Sequence, residues 1–105
     1  MPADAQRRWM FLSNHAHVLL CVDRDPGLRL RDVAERVGIT ERATQNIVRD
    51  LVTDGYLIRT RVGRRNVYSV RHDLPLRHPL EGGSAIGELL EALAAHHPEQ
   101  IPPNR

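Results

Sequence analysis

The stretch LRDVAERVGITERATQNIVRDLVTDGYL, residues 30–57, decides the fold of this 105-residue chain. Its apolar spacing predicts a short helix over residues 32–37 and a longer one over residues 41–54. Gly38 favours the left-handed backbone conformation that ends a helix, and Thr40 can cap the next helix through its hydroxyl oxygen. Because only Ile39 lies between these two residues, a tight turn joins the helices.

A further helix is predicted upstream, over residues 15–22, with Ser13 or Asn14 as its cap. The sequence Asp-Pro-Gly at residues 25–27 predicts a stop and a turn. Residues 28–31, Leu-Arg-Leu-Arg, alternate apolar and charged side chains. This alternation predicts a short strand before the helix over residues 32–37.

A hairpin and a last helix are predicted downstream. Residues 56–62 and 67–70 predict two strands around a turn at residues 63–66. Residues 73–83 contain several prolines and glycines and predict a loop. Ser84 can cap a final helix that extends through residue 95.

Together these elements predict an α+β, mainly helical fold, with a three-helix core, a β-hairpin and a C-terminal helix. The content of 41% apolar but only 4% aromatic residues suits such a small core of Leu, Val, Ile and Ala. We expect four regions: an N-terminal extension (1–12), one domain (13–72), a loop with the C-terminal helix (73–97) and a disordered tail (98–105).

Charge is distributed unevenly along the chain, although its net value is only +2. Residues 28–71 carry ten Arg and five acidic residues, a net charge of +5, whereas residues 72–105 carry a net charge of −3. All fifteen basic residues are Arg, whose planar guanidinium group suits phosphates and guanine edges. The basic middle segment therefore favours an anionic partner.

Residues 28–71 resemble the winged helix-turn-helix of MarR- and ArsR-type repressors. The resemblance is carried by LRDVAERVGIT at residues 30–40 and by LVTDGYL at residues 51–57, which leads into the hairpin. With the helix over residues 15–22 it covers more than half of the chain. It implies a transcriptional regulator, in the first place a repressor, that binds double-stranded DNA as a homodimer.

The helix over residues 41–54 has a polar face that can read bases in the major groove. On this face Arg42 can bind guanine, Gln45 can pair with adenine, and Thr44 can touch a thymine methyl group or a phosphate. The alternative is an ordinary solvated helix face. The predicted contact residues are Thr40, Glu41, Arg42, Thr44, Gln45 and Arg49.

The hairpin is the second predicted contact, because no acidic residue lies between Arg59 and Arg71. Phosphates would relieve the mutual repulsion of its arginines, and a narrow minor groove attracts inserted Arg. The alternative is an edge strand protected by charge. The predicted contact residues are Arg59, Arg61, Arg64 and Arg65.

Two apolar segments flank this domain and predict a dimer interface, as in the families that the chain resembles. One is the N-terminal patch with Trp9, Phe11 and Leu12. The other is the stripe of the C-terminal helix, formed by Ile86, Leu89, Leu90 and Leu93. The alternative is that the C-terminal helix packs back on its own domain.

Other functions have little support in the sequence. His15, His17, His96 and His97 form no set with metal-ligand spacing, so we expect no metal and no cofactor. Cys21 is expected to be a buried structural thiol rather than a redox switch. No phosphate-binding loop or nucleophile motif indicates an enzyme.

The cellular context follows from what the sequence lacks. Neither a signal peptide nor an apolar run of membrane-spanning length is present, and one cysteine allows no internal disulfide, so we expect a cytoplasmic protein without membrane contacts. Two alternatives stay open at this point: a winged helix that contacts protein instead of DNA, and a derepressor that responds to a ligand or metal. The sequence names no small-molecule effector.

Overall fold

Four helices and one antiparallel hairpin make up the computed structural model, which describes residues 9–94. In chain order the elements are α1 (Asn14–Arg24), α2 (Leu30–Val37), α3 (Glu41–Thr53), β1 (Leu57–Val62), β2 (Arg65–Val70), a 3-10 turn (Pro79–Glu81) and α4 (Ile86–Ala94). This arrangement confirms the predicted winged-helix fold class. The predictions for residues 1–8, for His96 and His97, and for the tail over 98–105 lie outside the described residues.

The turn between α2 and α3 has the predicted geometry. Gly38 adopts a left-handed conformation with a φ of 90°, and its N–H donates to the carbonyl of Ala34 at 2.8 Å. The hydroxyl oxygen of Thr40 then accepts a hydrogen bond from the N–H of Ala43 at 3.0 Å. The two caps satisfy backbone groups that the helix ends would otherwise leave unpaired.

The strand predicted over residues 28–31 is wrong, since α2 already begins at Leu30. Arg29 is its N-cap, and the Arg29 carbonyl accepts from the N–H groups of Asp32 and Val33 at 2.9 and 3.0 Å. Four alternating residues are too few to define a strand, whereas residues 30, 33, 34 and 37 are apolar at helical spacing. The described sheet has only two strands, so this segment also finds no strand partner there.

The core lies between the helices and the base of the hairpin. Helix α1 packs against α2, α3 and β2, while α3 also packs against β1. On the inner face of α3, Ile47, Val48 and Leu51 are buried and Ala43 is half-buried. The buried core consists of Val18, Leu19, Val22, Val33, Ile47, Val48, Leu51, Tyr56, Leu57, Tyr68, Ile86 and Leu90.

Helix α4 belongs to this same core. Ile86 and Leu90 are only 4% and 1% exposed, while Leu89 and Leu93 are half-buried. Their burial corrects the prediction that Ile86 and Leu90 face a second subunit and supports the alternative that the helix packs on its own domain. The physical reason is that the small core of α1–α3 leaves apolar surface that one more short helix can cover.

The segment before α4 explains where that helix begins. The N–H groups of Ile86 and Gly87 donate to the carbonyls of Leu74 and His72 at 2.8 and 2.9 Å. Helix α4 therefore begins at Ile86, two residues after the predicted cap, Ser84, whose carbonyl instead accepts from the N–H of Leu76. These bonds attach α4 to the chain that leaves β2.

The hairpin, called the wing below, is longer than predicted. Val62 pairs with Arg65, so the turn contains only Gly63 and Arg64, and β2 begins two residues before the predicted start at Val67. Gly63 has a φ of 62°, as the first central residue of a two-residue hairpin turn requires. Such a turn matches the twist of the paired strands, which extends their pairing to the tip.

Gly87→Ala tests the close approach of α4 to residue 72. A Cβ at position 87 would lie 2.7 Å from the Cβ and 2.8 Å from the carbonyl oxygen of His72. Alanine favours a helix over glycine by about 1 kcal/mol, but this overlap outweighs that gain, so we expect a net destabilisation of about 1–2 kcal/mol. Urea unfolding of the variant and of the unchanged protein measures this difference in the free energy of unfolding.

Gly27→Ala is the matched control for that experiment, because its Cβ would meet only an Asp25 side-chain oxygen at 3.8 Å. Its stability should stay within about 0.5 kcal/mol of the starting protein. A Gly87→Ala variant as stable as the Gly27→Ala variant would contradict the close packing of α4.

Candidate nucleic-acid interface

The exposed face of α3 carries a continuous polar stripe. Arg42, Gln45, Asn46 and Arg49 are all exposed and follow the spacing i, i+3, i+4 and i+7, so they share one side of the helix. The opposite side is buried in the core. Asn46 is not among the contact residues predicted from the sequence, although its spacing from Arg42 and Arg49 was the signal that could have included it.

Two contacts organise the stripe and the helix that carries it. A guanidinium nitrogen of Arg49 donates to the side-chain oxygen of Asn46, which holds the two side chains together on the helix surface. One turn further on, the Asp50 carboxylate lies 3.0 Å from Nε2 of His15 in α1. The position of α3 is thus supported by a polar contact as well as by its buried face.

The beginning of α3 is open to the surface. Thr40 and Glu41 are both exposed, as predicted, and the Thr40 hydroxyl oxygen is engaged by the N–H of Ala43. The free N–H groups and the dipole of a helix N-terminus favour a negative charge, and the Glu41 side chain supplies one in the first turn.

The structure does not place Thr44 on the exposed face, which corrects its assignment as a contact residue. Thr44 is 0% exposed, and its hydroxyl donates to the Thr40 carbonyl at 3.0 Å. At 100° per residue it lies on the side of α3 that packs against its neighbours, next to Ile47 and Val48. A short side chain that satisfies its own hydroxyl within the helix is tolerated in this position.

The wing presents arginines that have no acidic partner in the part of the chain that the structure describes. Arg59, Arg61 and Arg64 are exposed, and within residues 9–94 no carboxylate oxygen lies within 4.0 Å of their guanidinium nitrogens. The same holds in that range for Arg42 and Arg49 on α3. The two elements thus carry positive charge that the described chain does not neutralise.

The strand register settles which way the wing arginines face. Arg59 pairs with Tyr68 and Arg61 with Asn66, so these side chains leave the hairpin on one side, because side chains two residues apart on a strand share a face. It is the side of the buried Leu57 and Tyr68. Arg61 also donates from Nε to the Gly63 carbonyl at 3.3 Å, within the wing itself.

Two other arginines of the basic segment are engaged by the protein. Arg65 donates from Nη2 to the carbonyl oxygen of Gly27 at 2.6 Å. Arg71 makes two hydrogen bonds to the carboxylate of Asp73, both 3.2 Å, and these bonds hold the pKa of Asp73 below its usual value. The arginine cluster of the sequence therefore contains residues with different environments, which sequence spacing could not distinguish.

An exposed apolar arm precedes α1. Trp9 and Phe11 are 76% and 90% exposed and contact each other edge to face, with ring centroids 4.7 Å apart, while Leu12 is half-buried. Phe11 and Leu12 border a groove of about 640 Å³ between α1, the C-terminal end of α3, the loop before the 3-10 turn and α4. Glu81 of the 3-10 turn also lines this groove, and its neighbour Leu80 is 90% exposed. This surface, residues 9–12 with the groove and Leu80, is called the arm face below.

The remaining candidate residues have ordinary environments. In the part of the chain that the structure describes, no three His, Cys, Asp or Glu side chains come together as a possible metal site. Burial raises the pKa of the Cys21 thiol, against a smaller opposing effect of the nearby Arg36, so its environment is the opposite of what a reactive thiolate needs. Among residues 9–94, no helix is long and apolar enough to cross a membrane.

A three-helix core with a basic wing and a polar stripe on its third helix defines a winged helix-turn-helix protein. Comparison with protein families matches residues 12–65 to the MarR family, just over half of the chain. The chain belongs to the MarR family of transcriptional regulators, which bind DNA and are not enzymes. The likeness to ArsR-type repressors stays a prediction.

Solved structures share the fold. The chain is similar to a predicted DNA-binding transcriptional regulator from E. coli, with 16% identity and a TM-score of 0.59 over 90% of this chain and 88% of that one. It is also similar to AdcR, a zinc-dependent MarR family regulator in its Zn(II)-bound state, with 19% identity and a TM-score of 0.50 over 92% of this chain and 67% of that one. No curated protein matches the chain in sequence.

A pair of threonine substitutions tests the corrected position of Thr44. Thr44→Val removes a hydroxyl that donates to the Thr40 carbonyl, but this carbonyl still accepts a hydrogen bond from the Thr44 N–H. We therefore expect the free energy of unfolding to fall by less than about 1 kcal/mol and the DNA affinity to stay unchanged. Thr40→Val removes the side-chain cap of α3, so we expect the free energy of unfolding to fall by about 1 kcal/mol and the protein to bind DNA more weakly. Urea unfolding and fluorescence anisotropy with labelled duplex DNA measure both. A Thr44→Val variant that binds DNA as weakly as Thr40→Val would restore Thr44 as a contact residue.

Proposed function

We propose that this protein regulates transcription as a homodimer that places the stripe of α3 in the major groove and the wing on the flanking backbone or minor groove. In this proposal it acts as a repressor, because a dimer that occupies its site excludes other proteins without a further contact. The observation that carries the proposal is that two surfaces of one small domain, the α3 stripe and the wing, present arginines without an acidic partner among the described residues.

The stripe has the side chains that read base edges. Arg42 suits the two acceptors of guanine, and either Gln45 or Asn46 suits adenine. All three are exposed on the first two turns of α3, whose N-terminal end can approach a phosphate. Asn46 extends the surface predicted from sequence, and its contact with Arg49 reduces the side-chain freedom lost on binding.

The wing supplies affinity rather than base recognition. Arg59, Arg61 and Arg64 are exposed without acidic partners among the described residues, so their approach to phosphates would release counterions without breaking an existing ion pair. Arg64 lies in the two-residue turn at the tip, the part of the wing that reaches furthest. A narrow minor groove would attract it strongly.

The arm face is the proposed dimer interface. Ile86 and Leu90 are buried within one chain, whereas Trp9 and Phe11 of the arm are 76% and 90% exposed and Phe11 borders the groove. An aromatic ring buries roughly 150–250 Å². Four such rings from two copies, with the groove surface that they cover, would bury roughly 1,200–2,000 Å² in total, the usual size of a stable interface. A two-fold axis would seat each arm on the other subunit's groove.

Arg42→Ala and Arg64→Ala separate base recognition from backbone affinity. With a duplex selected for tight binding, Arg42→Ala should relax discrimination at one base pair by about 1–3 kcal/mol. Arg64→Ala should weaken selected and random duplexes alike and reduce the slope of log K against log salt by about 0.9. Fluorescence anisotropy over a salt series measures affinity and slope. If Arg42→Ala weakens binding to selected and random duplexes equally, the placement of α3 in the major groove is contradicted.

Binding of random duplex DNA at low salt is the prior condition for that experiment. Affinity that falls steeply with salt would support the basic surfaces as the contact. If the unchanged protein does not bind even at low salt, the alternative of a winged helix that contacts an acidic protein becomes the better account.

Phe11→Asp tests the dimer interface. Phe11 is so exposed that a charged side chain costs the fold little, but in a dimer it would bury a carboxylate, so we expect dissociation into monomers. Sedimentation velocity measures the state, and DNA affinity should fall with it. Val62→Asp, on an exposed position of the wing, is the control and should leave the oligomeric state unchanged. A Phe11→Asp protein that stays dimeric would place the interface elsewhere.

A further inference from the structure

The outer half of the wing, residues 58–66, has little apolar packing to hold it. The base of the hairpin is fixed by Leu57 and Tyr68, which are buried. Beyond the base, Ile58 and Val62 are 45% and 58% exposed, and the turn at Gly63 and Arg64 is fully at the surface. Two-stranded hairpins without further support are marginally stable in water.

One polar contact joins this outer half to the rest of the domain. Nη2 of Arg65 donates to the carbonyl oxygen of Gly27 at 2.6 Å, across 38 residues of sequence. The hydrogen bond of Arg61 stays within the wing. Apart from the strand pairing inside the wing itself, the Arg65 bond is the only hydrogen bond within residues 9–94 between residues 58–66 and the rest of the domain.

The acceptor belongs to a fixed part of the molecule. Gly27 lies in the turn between α1 and α2, where the N–H of Leu28 donates to the Asp25 carbonyl at 3.2 Å. Leu28 packs against the core, and the Asp25 carboxylate is 3.9 Å from the Arg36 guanidinium on α2. The wing tip is therefore attached to the same turn that begins α2.

We propose that Arg65 is a positioning residue that holds the wing tip against the α1–α2 turn, and that it is not a phosphate contact. It sets the place at which its neighbour Arg64, together with Arg61, meets the DNA. This assignment corrects the sequence-based grouping of Arg65 with the DNA-contacting arginines. It rests on the proposed function of the wing, since the effect on affinity acts through the other wing arginines.

Two neighbouring residues of the same type make this distinction measurable. Arg64 and Arg65 are both exposed arginines at the wing tip, but only Arg65 has its guanidinium group bound to the domain. Loss of a phosphate contact lowers the salt slope by about 0.9, because one fewer counterion is released. Loss of a positioning contact lowers affinity at every salt concentration and leaves the slope nearly unchanged.

The experiment compares the full-length protein with its Arg65→Ala and Arg64→Ala variants by two measurements. The first is anisotropy with a random duplex from about 50 to 200 mM salt. The second is amide hydrogen exchange of the free proteins, which reports how firmly the wing is held. We expect Arg65→Ala to bind roughly three- to tenfold more weakly with a slope change below about 0.3, and to exchange faster at residues 58–66. Arg64→Ala should lower the slope and leave exchange unchanged.

The outcomes separate this proposal from the proposed function. The positioning role is overturned if Arg65→Ala lowers the salt slope by about 0.9, as the loss of a phosphate contact does. It is also overturned if amide hydrogen exchange in the wing is unchanged. An Arg65→Ala variant with the affinity of the unchanged protein overturns it as well. If Arg64→Ala leaves the salt slope unchanged, the wing does not lie on DNA, and this part of the proposed function is wrong. Hydrogen exchange still decides in that case whether Arg65 holds the tip, because it is measured without DNA.

Discussion

The burial of one side of α3 is the constraint on which the rest of the structure depends. Ile47, Val48 and Leu51 lie in the core between α1 and the base of the wing, and the N-cap at Thr40 fixes where the helix begins. Because these residues face inward, the helical period of 3.6 residues places Arg42 and the rest of the stripe on the outward face. The surface that can read DNA is thus a consequence of how the core packs.

The same core decides how the remaining apolar surface is used. Helix α4 places Ile86 and Leu90 under the domain, where hydrogen bonds to the chain after β2 hold its first turn. This packing removes the C-terminal stripe from the surface and leaves the aromatic arm exposed. An exposed Trp–Phe pair beside an apolar groove is unusual for a small monomeric domain, which is why the proposed interface lies there.

Hydrogen bonds and ion pairs divide the arginines into groups with different environments. Arg71 is neutralised locally by Asp73, and Arg65 is held by a backbone carbonyl. Arg59 and Arg64 have no acidic partner in the described range, so they keep the charge that a phosphate backbone would neutralise. The positive segment of the sequence is therefore a mixture of arginines engaged by the protein and arginines without an acidic partner in the described range.

The sequence by itself determined the order of the elements, the turn at Gly38, the cap at Thr40 and the basic hairpin, because these follow from local capping preferences and apolar period. It misassigned residues 28–31, since four alternating residues fit both a strand and the first turn of a helix. Only the tertiary structure decided that Thr44 is buried, that Ile86 and Leu90 complete the core, and that Arg65 reaches Gly27. Each of these depends on the neighbour that a side chain meets across the fold, and local spacing in the sequence carries no information about that neighbour.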